Sequence, residues 1–342
     1  MNSLLEIKKD LNQYIENEKR SPGKKDNFII TSSVYSSVKR YEEEKASLDS
    51  FPKILGPVTE IKKLKEYIVN ESEDDFKILY NSCPHRGARL EVHSGVEKLT
   101  CPYHGWEFDR KGVLEKSTGH NCPFPKGALK LRELKHHVVG GMIFTGDSGK
   151  SDLGYTQEIS SFSKNARYLT GKKYEVACNW KFLVESLLET YHFPFAHETF
   201  LSGFNNAFFS QGTTSSNDSR IVVPLENFEE TKEIDSFEGI NVMYFIFPYS
   251  FVLFMNTGYV WFKIDPIKED LCRFTFSLFS YQDDQDEAAR KSFVVLEKIL
   301  NQDFVILEGQ QLNTSIEQRY HFTGYEKLIN QMHKNLNEVI ES

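Results

Sequence analysis

Apolar side chains at Leu4, Leu5, Leu11 and Ile15, set among Glu6, Lys8, Lys9, Asp10, Glu16, Glu18 and Lys19, predict an amphipathic helix over residues 1–20. A polar stretch follows, basic and serine-rich from Lys19 to Lys39, so residues 1–45 read as helix plus linker. From about Phe51 to Asp147 the pattern changes to short apolar pieces cut by Gly and Pro. Ile54-Leu55, Tyr67-Ile68-Val69, Phe76-Lys77-Ile78-Leu79-Tyr80 and Val138-Val139 predict a small β domain. Gly146-Asp147-Ser148-Gly149-Lys150-Ser151 reads as its exit linker. It is no phosphate loop, because that loop needs a glycine where Phe144 stands. Beyond it, Phe182, Leu183, Leu187 and Leu188 give helical spacing across Asn179 to His192, and Gln211 to Asp235 is polar and loop-like. Residues 240–282 alternate as strands, and Asp286 to Leu312 carries the apolar intervals of a long helix. Strands followed by helices predict an α+β layout.

The chain has 342 residues, a length for about two domains, and 13% aromatics, which argues against disorder. A formal charge of −8 makes nucleic acid and anionic lipid poor partners. Five cysteines, odd and sparse, suit metal or redox use in a reducing compartment better than a disulfide framework. The amphipathic start lacks the apolar centre of a signal peptide, so a cytoplasmic protein is expected. Gly239 to Phe262 runs 24 residues without a charge. Pro248-Tyr249-Ser250 and Asn256-Thr257-Gly258 punctuate it, so buried strands with a turn at Asn256 fit better than a membrane span.

Two constellations carry chemistry. The first is Cys83-Pro84-His85-Arg86-Gly87 followed by Cys101-Pro102-Tyr103-His104-Gly105-Trp106. Each half offers one thiolate and one imidazole on a loop shaped by Pro and Gly. Zinc could use two Cys and two His, but zinc modules usually pair like with like along the chain. Alternating Cys and His suits an asymmetric 2Fe-2S centre, with two thiolates on one iron and two imidazoles on the other. The second is Glu189-x-x-His192-x-x-x-x-His197. Glu189 and His192 are expected on one helix face, with Pro194 breaking the helix at Phe193 so that His197 swings back. Two imidazoles and a carboxylate with open positions describe a mononuclear Fe(II) that activates O₂.

The blocks CPHRGARL and CPYHGW resemble the Rieske iron–sulfur family. Ala88, Tyr103 and Trp106 stand where high-potential respiratory members have cysteines and a serine, which implies a lower potential and the oxygenase branch. Together with NWKFLVESLLETYHFPFAH, they make the chain similar to the catalytic α subunit of Rieske non-haem iron oxygenases. That resemblance implies a β-rich Rieske domain over 51–150 and a helix-grip, START-like catalytic domain over 151–342 joined by residues 1–50. It assigns Cys83, His85, Cys101 and His104 to the 2Fe-2S cluster and His192, His197 and a late-helix carboxylate to Fe(II). In the run Gln302-Asp303-Phe304-Val305-Ile306-Leu307-Glu308, Asp303 is the choice and Glu308 the alternative. Glu189 is implied to carry electrons from the Rieske histidine of a neighbouring subunit. Its length, where many members have Asp, is shared with carnitine-type and other quaternary-ammonium oxygenases. Ser186 stands where numerous members have Asn.

The expected activity is that of a terminal oxygenase, monooxygenase or dioxygenase, that hydroxylates or oxidatively demethylates a small organic, first of all aromatic, substrate with O₂. Quaternary-ammonium substrates such as carnitine or betaine are the alternative, and a Rieske electron carrier is the non-enzyme alternative. No G-x-G-x-x-G is present, so NAD(P)H serves through a separate flavin or iron–sulfur reductase, with or without a ferredoxin. A homotrimer without β subunits is implied. Phe195, Phe200, Phe204, Phe245, Phe247, Phe254 and Trp261 are candidates for an apolar pocket or a cation–π cage. Cys122, Cys178 and Cys272 read as inert thiols, and His136-His137 as structural.

Overall fold

The computed structural model describes residues 3–20, 27–72, 75–92, 98–118, 124–146, 154–197 and 210–342. The chain divides into two compact units, one of Ile54–Val138 with Met142–Gly146, the other of Met1–Lys53, Val139–Gly141 and Asp147–Ser342.

Helix α1 (Leu4–Arg20) buries Ile7, Leu11 and Ile15 on one face. Lys8 is buried among them. Its ammonium donates to the carbonyls of Thr231, Ile234 and Glu238 at 2.9, 2.9 and 2.7 Å, so each of its three protons has an acceptor. Burial pushes its pKa down. Strand β1 (Phe28–Thr31), α2 (Ser33–Ser36) and α3 (Val38–Ser47) follow, so the stretch expected as linker to Lys39 contains a strand and helical turns. The reason is a distant partner: β1 pairs antiparallel with Arg319–Phe322, which local polarity does not reveal.

The first unit is made of short pieces: β2 (Lys53–Pro57), α4 (Val58–Ile61), β3 (Tyr67–Ser72), β4 (Asp75–Tyr80), β5 (Glu91–Val92), β6 (Lys98–Thr100), β7 (Glu107–Asp109), β8 (Leu114–Lys116), β9 (His136–Val139) and β10 (Met142–Thr145). They form sheets ordered β2-β10-β9, β3-β4 and β5-β6-β7-β8 around Leu79, Leu99, Phe108, Leu114 and Leu131. The expected exit linker lies, past Gly146, outside the described residues.

In the second unit α5 (Thr156–Phe162), β11 (Arg167–Val176), α6 (Trp180–Leu187) and α7 (Phe193–Ala196) precede β12 (Gln211–Ser215), β13 (Asp218–Pro224) and α8 (Phe228–Thr231). Strands β14 (Ile240–Ile246), β15 (Ser250–Met255), β16 (Gly258–Lys268) and β17 (Leu271–Ser280) lead to α9 (Asp286–Asn313), β18 (Arg319–Phe322) and α10 (Lys327–Glu341). Seven strands make one antiparallel sheet, ordered β11-β17-β16-β15-β14-β13-β12. Helix α9 packs on β17 and β11, and α6 packs on α9 and β16, which is a helix-grip arrangement. The uncharged run from Gly239 supplies β14, β15 and the start of β16, and no described helix is long and apolar enough to cross a membrane.

Gln211 to Asp235 departs from the expected loop, because β12 and β13 lie within it. Every residue of β13 is buried. Its polar start has partners inside: Arg220 donates to Glu158 at 3.0 Å, the Tyr244 hydroxyl donates to the same oxygen at 2.9 Å, and Asp218 accepts from the Phe247 amide at 3.0 Å. Helix α6 is anchored by a similar device. Glu44 of α3 accepts from Lys181 Nζ at 2.6 Å, Trp180 Nε1 at 3.0 Å and Arg40 Nε at 3.0 Å. The Glu44 and Lys181 side chains are essentially fully buried.

Candidate active site

The two Cys/His loops of the first unit are built alike. Cys83 N donates to Ala88 O and Gly87 N to Cys83 O, both at 2.8 Å; Cys101 N donates to Trp106 O and Gly105 N to Cys101 O, at 2.8 and 2.9 Å. Gly87 (φ +77°) and Gly105 (φ +67°) occupy the left-handed region these turns require. Cys83 and Cys101 are buried, whereas His85 is exposed and His104 half-buried. The His85 and His104 rings lie 4.6 Å apart, and Trp106 stacks on His85 at 4.6 Å. Burial pushes the Cys83 thiol up, while the N–H groups of His85 and Arg86 pull against it.

The buried Nδ1 of His104 has no hydrogen-bond partner. An unpaired buried nitrogen costs about 1–3 kcal/mol, so its lone pair fits a metal ligand. Among the described residues only His192, His197 and Asp303 gather three ligand atoms within 4.8 Å. The alternation of thiolate and imidazole on the two loops, Cys83 with His85 and Cys101 with His104, suits a two-iron cluster.

In the second unit α6 ends at Leu187, and Glu189 lies outside the helix, so Glu189 and His192 do not share a helix face as expected. Pro194 is also not the breaker. It sits in the first turn of α7, where a missing N–H costs nothing. The chain breaks earlier, and Glu189 shapes the break by accepting from the amides of Tyr191 and His192. His192 and His197 then cap the two ends of α7, and His197 (φ −124°, ψ 23°) already leaves helical geometry.

Both rings are turned the same way. His192 Nδ1 meets the Glu189 carboxylate, and His197 Nδ1 lies 2.9 Å from Gln302 Oε1. Holding Nδ1 as N–H frees each Nε2 lone pair to point inward. These Nε2 atoms are buried without hydrogen-bond partners, 3.7 Å (His192) and 3.1 Å (His197) from Asp303 Oδ1. The set fits a mononuclear iron. Burial alone lowers the His197 pKa, but Asp303, Gln302 and Glu189 reverse it, so the net direction is upward. Glu308 is elsewhere, accepting from the Ala177 amide at 3.0 Å. Gln302 was missed by sequence reasoning, although its place beside Asp303 is a signal.

Asp303, Glu189 and Ser186 line two spaces. A cavity of about 500 Å³ has walls that are mostly aliphatic: Val223, Leu225, Met243, Leu253, Met255, Leu296 and Ile299, with the rings of Phe193 and Phe262. A smaller chamber of about 130 Å³ is mixed, bordered by Glu185, His192, Gln310 and Glu326 together with Phe182, Leu307, Phe322 and Ile329. Burial, with Glu189 and Glu185 nearby, raises the Glu326 pKa. Glu185 itself accepts from the buried Tyr35 hydroxyl at 2.8 Å and lies 2.7 Å from His333 Nε2.

The expected aromatic lining is corrected here. Phe245, Phe247, Phe254 and Trp261 are buried in the core and do not line the cavity, Phe195 is 73% exposed, and Phe200 and Phe204 lie outside the described residues. Cys178 and Cys272 are buried with sulfurs 4.0 Å apart, and Cys122 lies outside the described residues.

The model of the ring hydroxylating alpha subunit (catalytic domain) matches residues 163–342, and that of the Rieske 2Fe-2S domain matches residues 56–133. A carnitine monooxygenase oxygenase subunit of Acinetobacter pittii is 29% identical over 151 residues, 39% of each chain, so the match spans about two fifths of that relative. Chloroplastic choline monooxygenase of Spinacia oleracea is 25% identical over 272 residues, 72% of this chain and 60% of the relative. Among solved structures, naphthalene 1,2-dioxygenase from Rhodococcus sp. superposes with a TM-score of 0.69 at 12% identity, covering 98% of both chains. A quaternary ammonium Rieske monooxygenase with L-carnitine superposes at 0.65 and 18%, covering 89% of this chain and 94% of the other. At these identities the superpositions speak for the fold.

Proposed function

This chain belongs to the ring-hydroxylating alpha-subunit family, and on that footing we propose that it is a terminal oxygenase using reductase-delivered electrons and O₂ on a small organic substrate. The observation that carries this reading is the meeting of two imidazole nitrogens and one carboxylate oxygen, with that carboxylate, Asp303, on the wall of a mostly apolar cavity of about 500 Å³. His192, His197 and Asp303 hold Fe(II); Cys83, His85, Cys101 and His104 hold the 2Fe-2S cluster. Iron and cluster together supply O₂ activation and single electrons. The protein's part is to orient and exclude. Glu189 and Gln302 fix the imidazole tautomers, and the aliphatic walls keep water from the reacting carbon. The overall change is RH + O₂ + 2 e⁻ + 2 H⁺ → ROH + H₂O, with the electrons drawn from NAD(P)H through a separate reductase.

The walls favour an apolar substrate, hydroxylated or oxidatively demethylated. Quaternary-ammonium oxidation is the second reading, favoured by relatives named for carnitine and choline and by Glu189 and Asp303 on the cavity wall, which attract a cation. NADH and O₂ consumption with a surrogate reductase, run over aromatic acids, aryl methyl ethers, carnitine, choline and glycine betaine, separates the two. We take residues 51–150 as the cluster domain, 151–342 as the catalytic domain with 1–50 joined to it, and a cytoplasmic homotrimer as the working form. Support for the trimer comes from Tyr191, Phe195 and Tyr325, exposed rings on and near the His192 segment that a second copy can cover.

Two expectations follow at once. Protein prepared without oxygen and then reduced gives a Rieske-type electron paramagnetic resonance signal, and Cys83→Ser loses it; a persisting signal removes Cys83 from the ligand set. Glu189→Ala loosens His192, and turnover falls by about 10- to 100-fold with the cluster signal intact. Unchanged turnover in that variant rejects the bridging role.

A further inference from the structure

The cavity beside Asp303 runs lengthwise along α9. Lys291, Val295, Leu296, Ile299, Leu300 and Asp303 form its helical wall, at intervals that keep one stripe of the helix facing the space. From Lys291 to Asp303 the helix climbs about 18 Å. Exposure falls along the stripe: the Lys291 side chain is 75% exposed and Val295 42%, Leu296 and Ile299 are half-buried, and Leu300 and Asp303 are at 3% and 7%. The sheet wall shows the same gradient. Asn256, in the turn between β15 and β16, is exposed; Met255 and Leu253 behind it on β15 are half-buried; Phe262, whose ladder partner is Phe251, is buried. Among the described residues the cavity therefore opens at the β15–β16 turn and closes at the carboxylate of the iron site. Spread over that length, about 500 Å³ makes a narrow channel.

The chemistry of the walls changes along the same axis. Toward the closed end they are Ile299, Leu300, Phe262 and Leu187, broken only by the carboxylates Asp303 and Glu189. At the open end stand Ser292, Asn256, Thr257 and Lys291. Lys291 meets Glu287 at 2.7 Å, so hydrogen bonding and not free charge is what this end offers. A compact molecule seated against Asp303 leaves the outer two turns of the α9 wall without a partner, and contacts left unmade there are lost.

On the reading that this chain oxidises an apolar substrate at the site of His192, His197 and Asp303, we infer that the substrate is an elongate, unbranched molecule that enters tip first and is oxidised at its far end, with a hydrogen-bonding group trailing at the β15–β16 turn. Val295 and Leu296, midway between mouth and iron site, set the length that fits. At the tip a C–H bond of the terminal methyl breaks and a C–O bond forms. O₂ takes two electrons from the reductase and two protons, and its atoms leave as the new hydroxyl and one water. The closed end decides which carbon reacts, because a chain that fills the channel has only its tip beside Asp303.

The test uses straight-chain primary alcohols. Hexanol, octanol and decanol are titrated by calorimetry against the iron-loaded chain without oxygen, and are then turned over with O₂ and the surrogate reductase. Affinity is expected to rise through the series by up to about fourfold per added methylene. Mass spectrometry is expected to find the diol with a hydroxyl at each end of the chain. Val295→Trp, at an exposed wall position, narrows the channel, and the ratio of decanol to hexanol affinity should fall about tenfold or more. Affinity that ignores chain length overturns the inference, and so does a product oxidised in mid-chain or at the carbon that already bears the hydroxyl. These two measurements use the unaltered chain, so they decide whatever the substitution does to folding. An unchanged ratio in a folded Val295→Trp removes that residue from the length gauge and overturns the placement of the chain. If the alcohols bind as expected but neither they nor the aromatic and quaternary-ammonium compounds consume O₂, the oxygenase reading fails and the inference falls with it. Turnover of choline or glycine betaine beside a flat alcohol series sinks the inference alone.

Discussion

His197→Ala and Asp303→Ala are each expected to leave the protein folded, with its cluster signal intact, and unable to hold iron or turn over substrate. His197 is buried and Asp303 nearly so, and their ligand atoms stand 3.1 Å apart without a hydrogen bond between them. Losing the residue that merely orients a ligand costs about 10- to 100-fold in metal affinity or activity, so losing the ligand costs at least about a hundredfold. Iron analysis of protein loaded without oxygen, alongside coupled O₂ consumption, checks this. Glu308→Ala is the control: it removes a contact to the Ala177 amide and should leave iron content unchanged. Full iron retention in Asp303→Ala, or its loss in Glu308→Ala, would reverse the choice between the two carboxylates.

The second large effect concerns stability. Glu44→Ala removes the partner of a fully buried ammonium and three hydrogen bonds together. Breaking a buried pair from one side costs about 3–5 kcal/mol, which for a chain of this size lowers the melting temperature by roughly 10 °C. Burial already pushes the Lys181 pKa below its ordinary value, and Glu44 opposes that shift. The variant therefore deepens it. Between the depressed folded value and the ordinary lysine value, the unfolded chain binds more protons, so stability rises with pH across that interval. Calorimetric melting of Glu44→Ala should recover part of its loss on raising the pH toward 10, provided acquired surface repulsion is matched in the parent. A variant that melts with the parent at every pH would show that α6 does not depend on this anchor.

The candidate ligands on the two Cys/His loops were legible because their spacing is local. A cysteine and a histidine two or three residues apart, on a loop closed by glycine, announce their geometry within one turn of chain, as Cys83 and Cys101 do. Long apolar periodicity announced α9 equally well, since its burial repeats with the helix. What stayed hidden is polar and has distant partners. Asp218 and Arg220 read as loop because their partners, the Phe247 amide and Glu158, lie far away in sequence. Lys8 falls on the buried face of α1, satisfied by carbonyls more than two hundred residues on. The position of the helix break was misjudged for a related reason. Proline's cost depends on whether its N–H would have been used, and at the first turn of α7 it would not.

The pairing of β1 with β18 sets an order of assembly. Phe28–Thr31 is synthesised early, yet its antiparallel partner Arg319–Phe322 leaves the ribosome almost three hundred residues later. All of the cluster unit lies between them and closes on itself by Gly146. A nascent chain can therefore complete its iron–sulfur pocket, and receive its cluster, while the catalytic half is still open and its first strand still waits for a mate. Late termination or truncation before residue 319 should then yield a red, cluster-bearing fragment with no working oxygenase.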